Sequence, residues 1–224
     1  MTPPLEERTI AGLHDFVAAN VLSRYAVRGG RAVDLGAGSG ALVARIQQLG
    51  MDALGVEIEA GRFQANAPVI SVNLDEPEFA AKLGEQAFDL VTSVEVIEHL
   101  ESPLGFLRNV RRLLKPEGVA VLTTPNVENT PARLKFLLTG RLRLMDGRSD
   151  PTHISPIFWD LLTRQLLPRA RLELVEHSVY PHGGYKATRA RYAWAMRLLA
   201  PFLSGAALHG DNHIFVLRAA GNKT

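Results

Sequence analysis

The chain has 224 residues, of which 46% are hydrophobic and 21% charged, with 25 Lys and Arg against 23 Asp and Glu and no cysteine. This composition argues against a disordered chain, and the lack of cysteine excludes a disulfide framework, a thiolate metal site and a cysteine nucleophile. The first residues lack the basic start and apolar run of a secretory signal, and no stretch approaches the ~18 consecutive apolar residues of a membrane-spanning helix. We therefore expect a single cytoplasmic domain over 1–224.

The first half of the chain alternates predicted helices with short apolar strands. Apolar residues at helical spacing over Leu5–Leu22 predict an amphipathic helix within an N-terminal part, residues 1–30. Arg31–Leu35 predicts a buried strand, which a glycine-rich turn breaks before a helix that Ser39 would cap. Further strands are predicted at Ala53–Ile58, Val69–Leu74, Phe88–Val94 and Gly118–Thr124, with a helix from Ser102 to Leu114 before the last of them.

After Asn126 the alternation becomes less regular. Residues 127–154 are apolar and basic, and their place after the fifth strand predicts a lid-like segment over the site. Residues 155–224 predict late strands with an inserted helix over 186–205. The predicted elements there are a helix at Ser155–Leu167, a strand at Arg171–His177, a helix at Arg189–Leu203 and a last strand at His213–Leu217.

The turn after the first strand is the first candidate site. Strands that alternate with helices predict a parallel sheet, in which ligands bind beyond the carboxyl ends of the strands. The glycines of residues 36–40 let the backbone approach a ligand there. The same glycines satisfy a looser dinucleotide pattern, which keeps a nicotinamide-dependent oxidoreductase open as an alternative. Asp34 suits a ligand with an ammonium group, and Glu57 can accept hydrogen bonds from both hydroxyls of a ribose.

Taken in order, these motifs resemble those of the class I S-adenosylmethionine-dependent methyltransferases, and are closest to the ubiquinone-biosynthesis-type O-methyltransferases. The resemblance rests on Val33-Asp34-Leu35-Gly36-Ala37-Gly38-Ser39-Gly40, Gly55-Val56-Glu57, Phe88-Asp89-Leu90-Val91, Val94-Glu95-Val96-Ile97-Glu98-His99-Leu100, Leu114-Lys115-Pro116-Glu117-Gly118 and Thr124-Pro125-Asn126. It implies an α/β, doubly wound, seven-stranded Rossmann-like sheet with an antiparallel last strand and helices on both faces. It also implies that S-adenosylmethionine contacts Asp34, Gly36, Ala37, Gly38, Gly40, Glu57, Ile58, Asn73, Leu74 and Glu95.

A second candidate site follows the fourth strand. Glu95, Glu98 and His99 lie at i, i+3 and i+4, so a helix would present all three on one face, where they could hold Mg²⁺, Mn²⁺ or Zn²⁺. This placement is similar to that of the ubiquinone-biosynthesis O-methyltransferases and of the small-RNA 2′-O-methyltransferases, and the latter resemblance implies His153 as a fourth ligand. In the alternatives, Glu98 and His99 only cap and pair, Glu95 receives cofactor N–H groups, or His153 acts as a metal-free general base.

The predicted function is methyl transfer from S-adenosylmethionine to a hydroxyl of a small-molecule acceptor, lipid-linked or saccharide, with His153 and His99 as catalytic residues. The alternatives are the oxidoreductase and a non-catalytic cofactor-binding partner protein. Residues 127–224 hold 14 Lys and Arg against 7 Asp and Glu, a basic surplus that suits an anionic acceptor or peripheral membrane contact. We expect a monomer or a homodimer. A nucleic acid partner is not favoured, because no RNA-binding module is evident, and small-RNA methylation stays open only as a minor alternative.

Overall fold

The computed structural model describes residues 5–146, 150–182, 184–186 and 208–221. Its strands form one sheet of seven in the order β3-β2-β1-β4-β5-β7-β6. All pairs among β1 to β5 are parallel, whereas β7 is antiparallel to both β5 and β6. The predicted fold class is therefore confirmed. The strands are β1 Arg31–Leu35, β2 Asp52–Val56, β3 Val69–Ile70, β4 Phe88–Val94, β5 Leu114–Pro125, β6 Leu172–Tyr180 and β7 Asn212–Ala219.

Helices cover both faces of this sheet. Helix α1 consists of Leu13–Val17, a π turn Ala18–Leu22 and Ser23–Tyr25, and helix α6 of Trp159–Leu161, a π turn Leu162–Leu166 and Leu167–Ala170. The others are α2 Ala41–Gln48, α3 Phe79–Leu83, α4 Pro103–Leu113 and α5 Thr130–Thr139, with 3₁₀ turns at Ala60–Arg62 and Ile97–His99. Two apolar cores result, one beneath α3, α4 and α6 and one beneath α1 and α2. The central strands are consequently buried on both faces, which explains their continuous apolar sequences.

The N-terminal helix and its neighbour begin later than predicted. Helix α1 begins at Leu13 rather than Leu5, since Gly12 takes a left-handed φ of 82° at its N-cap. Helix α2 begins after Gly40, and Ser39 is not its cap, because the Ser39 hydroxyl donates to the Glu6 carbonyl oxygen at 2.7 Å. The segment before α1 therefore lies against the glycine turn.

β3 and β5 are the strands that differ most in length from the prediction. β3 ends at Ile70 rather than Leu74, and farther along the chain Asn73 Oδ1 accepts from the Asp75 amide at 3.0 Å in a turn. β5 begins at Leu114 rather than Gly118, and Leu114 already pairs with Phe88 of β4. Apart from Lys186, the predicted inserted helix over 186–205 lies outside the described residues. Within the described ranges, no helix combines the length and the apolar character needed to cross a membrane.

Candidate active site

The turn between β1 and α2 combines a tightly packed glycine with an open one. Gly36 has a φ of 77°, and a Cβ there would lie 2.5 Å from Val96 Cγ2, so the position accepts no side chain without rearrangement. At Gly38, with a φ of 54°, a Cβ would meet nothing within 4 Å. The turn therefore presents backbone directly to open space.

Glu57, which follows β2, is drawn to this turn. Its Oε2 accepts from the Gly38 amide at 2.9 Å and its Oε1 from the Glu59 amide at 3.2 Å. The next side chain, Ile58, is 59% exposed. Asn73 is exposed and Leu74 half-buried just beyond β3. The predicted cofactor contacts on β1, β2 and β3 thus share one edge of the sheet, because neighbouring parallel strands end together there.

Asp34 is the second-to-last residue of β1 and is almost completely buried. It is 4% exposed and accepts from the Thr92 hydroxyl at 2.7 Å. Burial raises the pKa of Asp34 to about 7, and the Glu57 carboxylate adds to the rise, although the Thr92 hydrogen bond opposes it. A buried carboxyl in this state gains most from a cationic ligand, which would favour its ionised form.

The segment after β4 is not the helix that the sequence predicts. Glu95 takes a left-handed φ of 58°, and only Ile97–His99 forms a 3₁₀ turn, so the three predicted ligands do not share a helix face. Glu95 Oε1 accepts from the Thr123 hydroxyl at 3.1 Å, and the side chain also hydrogen-bonds Asn212. Burial raises the pKa of Glu95 to about 7. Glu95 therefore faces β5 and β7.

Glu98, His99 and His153 do come together, with one ligand atom from each within 4.8 Å of the others. Glu98 is fully buried, and its Oε2 accepts from the Thr124 hydroxyl at 3.1 Å. Its Oε1 has no hydrogen-bond partner in the described ranges. Burial holds the pKa of Glu98 well above its usual range, and the nearby Glu95 adds to the rise. An orphaned buried oxygen of this kind fits a bound cation.

Both imidazoles have their tautomers set by neighbouring oxygen atoms that accept a hydrogen bond. The Thr152 hydroxyl donates to Asp150 Oδ1 at 2.6 Å, so its oxygen accepts from His99 Nδ1–H at 2.8 Å. The Leu144 carbonyl oxygen, which can only accept, lies 2.8 Å from His153 Nδ1. In its neutral form each ring therefore carries its proton on Nδ1 and leaves Nε2 as the free acceptor, the arrangement that metal-binding histidines require. Burial and the neighbouring His153 lower the pKa of His99.

Several of these contacts have no signal in the sequence. Thr124 contacts Glu98 across 26 residues and Thr152 contacts His99 across 53, while the contact of His153 is a backbone carbonyl, that of Leu144. Nor does sequence spacing relate His177 on β6 to His213 on β7, although His177 Nε2 lies 2.9 Å from His213 Nδ1. Burial lowers the pKa of His213 to about 3, and the proximity of His177 adds to the fall.

Comparison with known proteins gives the family. A family model described as a methyltransferase domain matches residues 6–177. The chain belongs to the methyltransferase domain family. This confirms the resemblance that the motifs carried, and it does not favour the oxidoreductase alternative.

Named relatives of this methyltransferase domain match over only part of their length. The ubiquinone biosynthesis O-methyltransferase of Roseobacter denitrificans is 36% identical over 137 residues, which are 56% of this chain and 52% of the relative. That of Dinoroseobacter shibae is 27% identical over 186 residues, 72% of this chain and 71% of the relative. The chain thus spans about half the length of the first of these relatives.

Solved structures share the fold of this methyltransferase domain. A SAM-dependent methyltransferase from Archaeoglobus fulgidus superposes with a TM-score of 0.59 at 17% identity, covering 91% of this chain and 93% of that one. The Burkholderia thailandensis 1,6-didemethyltoxoflavin-N1-methyltransferase, solved with S-adenosylhomocysteine, has a TM-score of 0.59 at 16% identity, covering 94% and 80%. At these identities the similarity is one of fold.

Proposed function

We propose that this chain transfers a methyl group from S-adenosylmethionine to a hydroxyl of a small-molecule acceptor, beside a divalent cation bound by Glu98, His99 and His153. The observation that carries the proposal is the fully buried Glu98 carboxyl, with one oxygen orphaned within the described ranges and two imidazoles beside it. The family membership and the relatives' O-methyltransferase names support the type of reaction.

The cofactor would lie across the carboxyl ends of β1, β2 and β3. Asp34 would receive the ammonium group of its methionine part, and the open backbone at Gly38 would pass beneath it. Glu57 would accept from the ribose hydroxyls through the carboxylate lone pairs that its hydrogen bonds with the Gly38 and Glu59 amides leave free. The remaining predicted contacts are Gly36, Ala37, Gly40, Ile58, Asn73, Leu74 and Glu95, of which Ile58, Asn73 and Leu74 would flank the adenine.

The acceptor would bind at the end of β4, next to the cofactor's methionine part. A cation there lowers the pKa of an acceptor hydroxyl, which makes the oxygen a better nucleophile. One carboxylate and two imidazoles favour Mn²⁺ or Zn²⁺ over Mg²⁺, which prefers an all-oxygen set. The chain's own residues orient this site, since Thr124 holds Glu98 while Thr152 and Leu144 hold the two histidines.

A metal-free version of the same reaction uses His153 alone. With Nδ1–H donated to Leu144, its Nε2 can accept the proton that the acceptor hydroxyl loses. The two versions differ in what a chelator does. Full turnover after metal removal, together with loss of turnover in His153→Gln, would favour the metal-free base.

The test begins with cofactor binding and proceeds to turnover. We expect S-adenosylhomocysteine to raise the thermal midpoint, whereas NAD and NADP leave it unchanged. Turnover is then followed with methyl-labelled S-adenosylmethionine on hydroxylated ubiquinone precursors and on saccharide acceptors, with and without Mn²⁺, Zn²⁺ or Mg²⁺. Tight cofactor binding with no turnover on any acceptor would favour the non-catalytic partner protein, and no cofactor binding would contradict the proposal.

A lipid-linked acceptor would fit peripheral membrane contact. Helix α5 leaves Phe136, Leu137 and Leu138 53%, 80% and 72% exposed, and Arg141 follows them. Sedimentation with anionic liposomes tests this contact. We expect salt-sensitive binding that Leu137→Asn weakens and that the matched Leu161→Asn, on another partly exposed helix, leaves unchanged.

A further inference from the structure

A buried ion pair lies close to the candidate active site. Arg143, which follows α5, donates from its guanidinium to Asp211 Oδ1 at 2.9 Å. Arg143 is 7% exposed and Asp211 1% exposed. Buried pairs of this kind add little net stability, because desolvation of both charges offsets their attraction. Their positions are better explained by what they orient.

Three hydrogen bonds with backbone groups hold Asp211 in place. Its amide donates to the Tyr180 carbonyl at the end of β6, and its carbonyl accepts from the Asn126 amide just after β5, both at 2.7 Å. Its Oδ2 accepts from the Lys186 amide at 2.5 Å. Asp211 is therefore a rigid anchor, and Arg143 ties the chain after α5 to it.

The residue after Arg143 reaches the site directly. Leu144 takes a left-handed φ of 66°, unusual for a leucine, and its carbonyl accepts from His153 Nδ1–H at 2.8 Å. A residue that has a β-carbon keeps this left-handed backbone conformation only where the surrounding contacts enforce it. The buried pair, one residue away, supplies such a contact.

We propose that Arg143 and Asp211 are positioning residues: they hold the Leu144 carbonyl against His153 Nδ1 and so keep His153 Nε2 unprotonated beside Glu98 and His99. Without the pair, Leu144 relaxes, His153 loses the acceptor that fixes its tautomer, and part of the population carries its proton on Nε2. That population cannot offer Nε2 to a cation. The consequence for cation binding rests on the proposed function, whereas the tautomer itself does not.

The test reads the tautomer directly in the metal-free full chain. Long-range proton–nitrogen correlation spectra of protein labelled with ¹⁵N-histidine, at one fixed pH, distinguish Nδ1–H from Nε2–H, and His153→Gln assigns the signal. We expect only Nδ1–H in the wild type and a mixture in Asp211→Asn. Arg143→Lys, which keeps a charge able to pair with Asp211, should retain the single Nδ1–H tautomer. Asp89→Asn, which removes a partly buried pair with Lys115 at the opposite end of β4, should not change it.

A second measurement connects the tautomer to ligand binding. Loss of an outer partner of a metal-binding histidine weakens metal affinity by about 10- to 100-fold, so we expect Asp211→Asn to weaken Mn²⁺ binding by that factor in calorimetry. If Asp211→Asn does not fold, Arg143→Met, which leaves the backbone bonds of Asp211 intact, replaces it in both measurements. A single Nδ1–H tautomer in the folded variant would overturn the inference. A shifted tautomer in a chain whose wild type binds no Mn²⁺ would leave it standing and contradict the metal site instead.

Discussion

The cofactor edge and the acceptor edge of the candidate active site are built in different ways. At the cofactor edge, the Gly38 amide and the Glu57 carboxylate that contact each other are 19 residues apart in the chain. At the acceptor edge, His99 meets Thr152 across 53 residues, and Arg143 meets Asp211 across 68. The first edge follows from turn chemistry along adjacent strands, whereas the second depends on segments that tertiary contacts bring together. Variants should therefore affect one edge more strongly than the other.

The largest expected effect is that of Glu98→Gln on cation binding. The variant keeps the hydrogen bond to Thr124 but removes the charge, and a unit charge at about 4 Å is worth roughly 4 kcal/mol at an effective dielectric constant of about 20. Because each ~1.4 kcal/mol is a factor of ten, we expect Mn²⁺ affinity to fall at least about 100-fold in calorimetry. S-Adenosylhomocysteine affinity should stay the same. Glu101→Gln, an exposed acid nearby, is the control, and unchanged Mn²⁺ affinity in Glu98→Gln would contradict the ligand assignment.

Gly36→Ala is the reciprocal variant at the cofactor edge. Its new Cβ meets Val96 Cγ2 at 2.5 Å in a left-handed backbone, and overpacking of this kind costs about 1–3 kcal/mol. We expect S-adenosylhomocysteine affinity to fall by about 10- to 100-fold, with a smaller loss of Mn²⁺ affinity, because the Val96 carbonyl accepts from the His99 amide at 2.9 Å. Gly29→Ala, at the opposite end of β1, has a similar φ of 73° but nothing within 4 Å, so comparison of the thermal midpoints of the two variants separates the clash from backbone strain. Equal losses in the two variants would mean that the contact with Val96 does not matter.

The same contrast explains how far the sequence predicts the molecule. Arg31–Leu35 and Phe88–Val94 are predicted with the bounds that the structure has, because each is a buried apolar run between clear turn signals. β3 is predicted too long, because the sequence does not reveal that Asn73 closes a turn with Asp75. Local patterns are thus sufficient where neighbouring residues determine the backbone.

At the acceptor edge local patterns are not sufficient. Helical spacing groups Glu95 with Glu98 and His99, but the left-handed φ of Glu95 redirects its side chain toward Thr123. His153 is predicted as part of the cluster only from the resemblance to known methyltransferases, and not from its spacing in the sequence. The Leu144 carbonyl that orients it belongs to the backbone, which leaves no trace in residue type.

Asp34 provides a pH test of the cofactor edge. With the folded pKa raised from 3.8 to about 7, the unfolded chain loses this proton first, so the free protein loses stability as pH rises from about 4 to about 7 and levels off above that. A bound ammonium group favours the ionised carboxyl. S-Adenosylhomocysteine affinity should therefore fall by up to about tenfold for each pH unit below about 7. In Asp34→Asn, calorimetry should find weaker binding with a flatter pH profile, and an unchanged profile would assign the dependence to another group.

The smallest expected effect concerns Ser39. The sequence predicts Ser39 as a helix cap, but in the structure its hydroxyl donates a hydrogen bond to the Glu6 carbonyl oxygen at 2.7 Å. Such a bond contributes about 1 kcal/mol, so Ser39→Ala should loosen the segment before α1 by roughly a factor of five and leave α2 intact. Trypsin cleavage after Arg8, whose side chain is 66% exposed, measures that loosening. The control is Ser71→Ala, which removes a similar hydroxyl bond, to Ile58, at 2.9 Å.

The response to cofactor decides what this small effect means. If S-adenosylhomocysteine slows cleavage in the wild type and less so in Ser39→Ala, the segment before α1 closes over the glycine turn when the cofactor is bound, since only a segment coupled to the cofactor can be protected by it. Equal cleavage rates with and without cofactor would mean that this segment packs against the domain but does not respond to the cofactor. Ser39 lies within the glycine turn itself. If S-adenosylhomocysteine protects the segment before α1 from trypsin, and added Mn²⁺ does not change the cleavage rate, the cofactor edge becomes ordered independently of the acceptor edge.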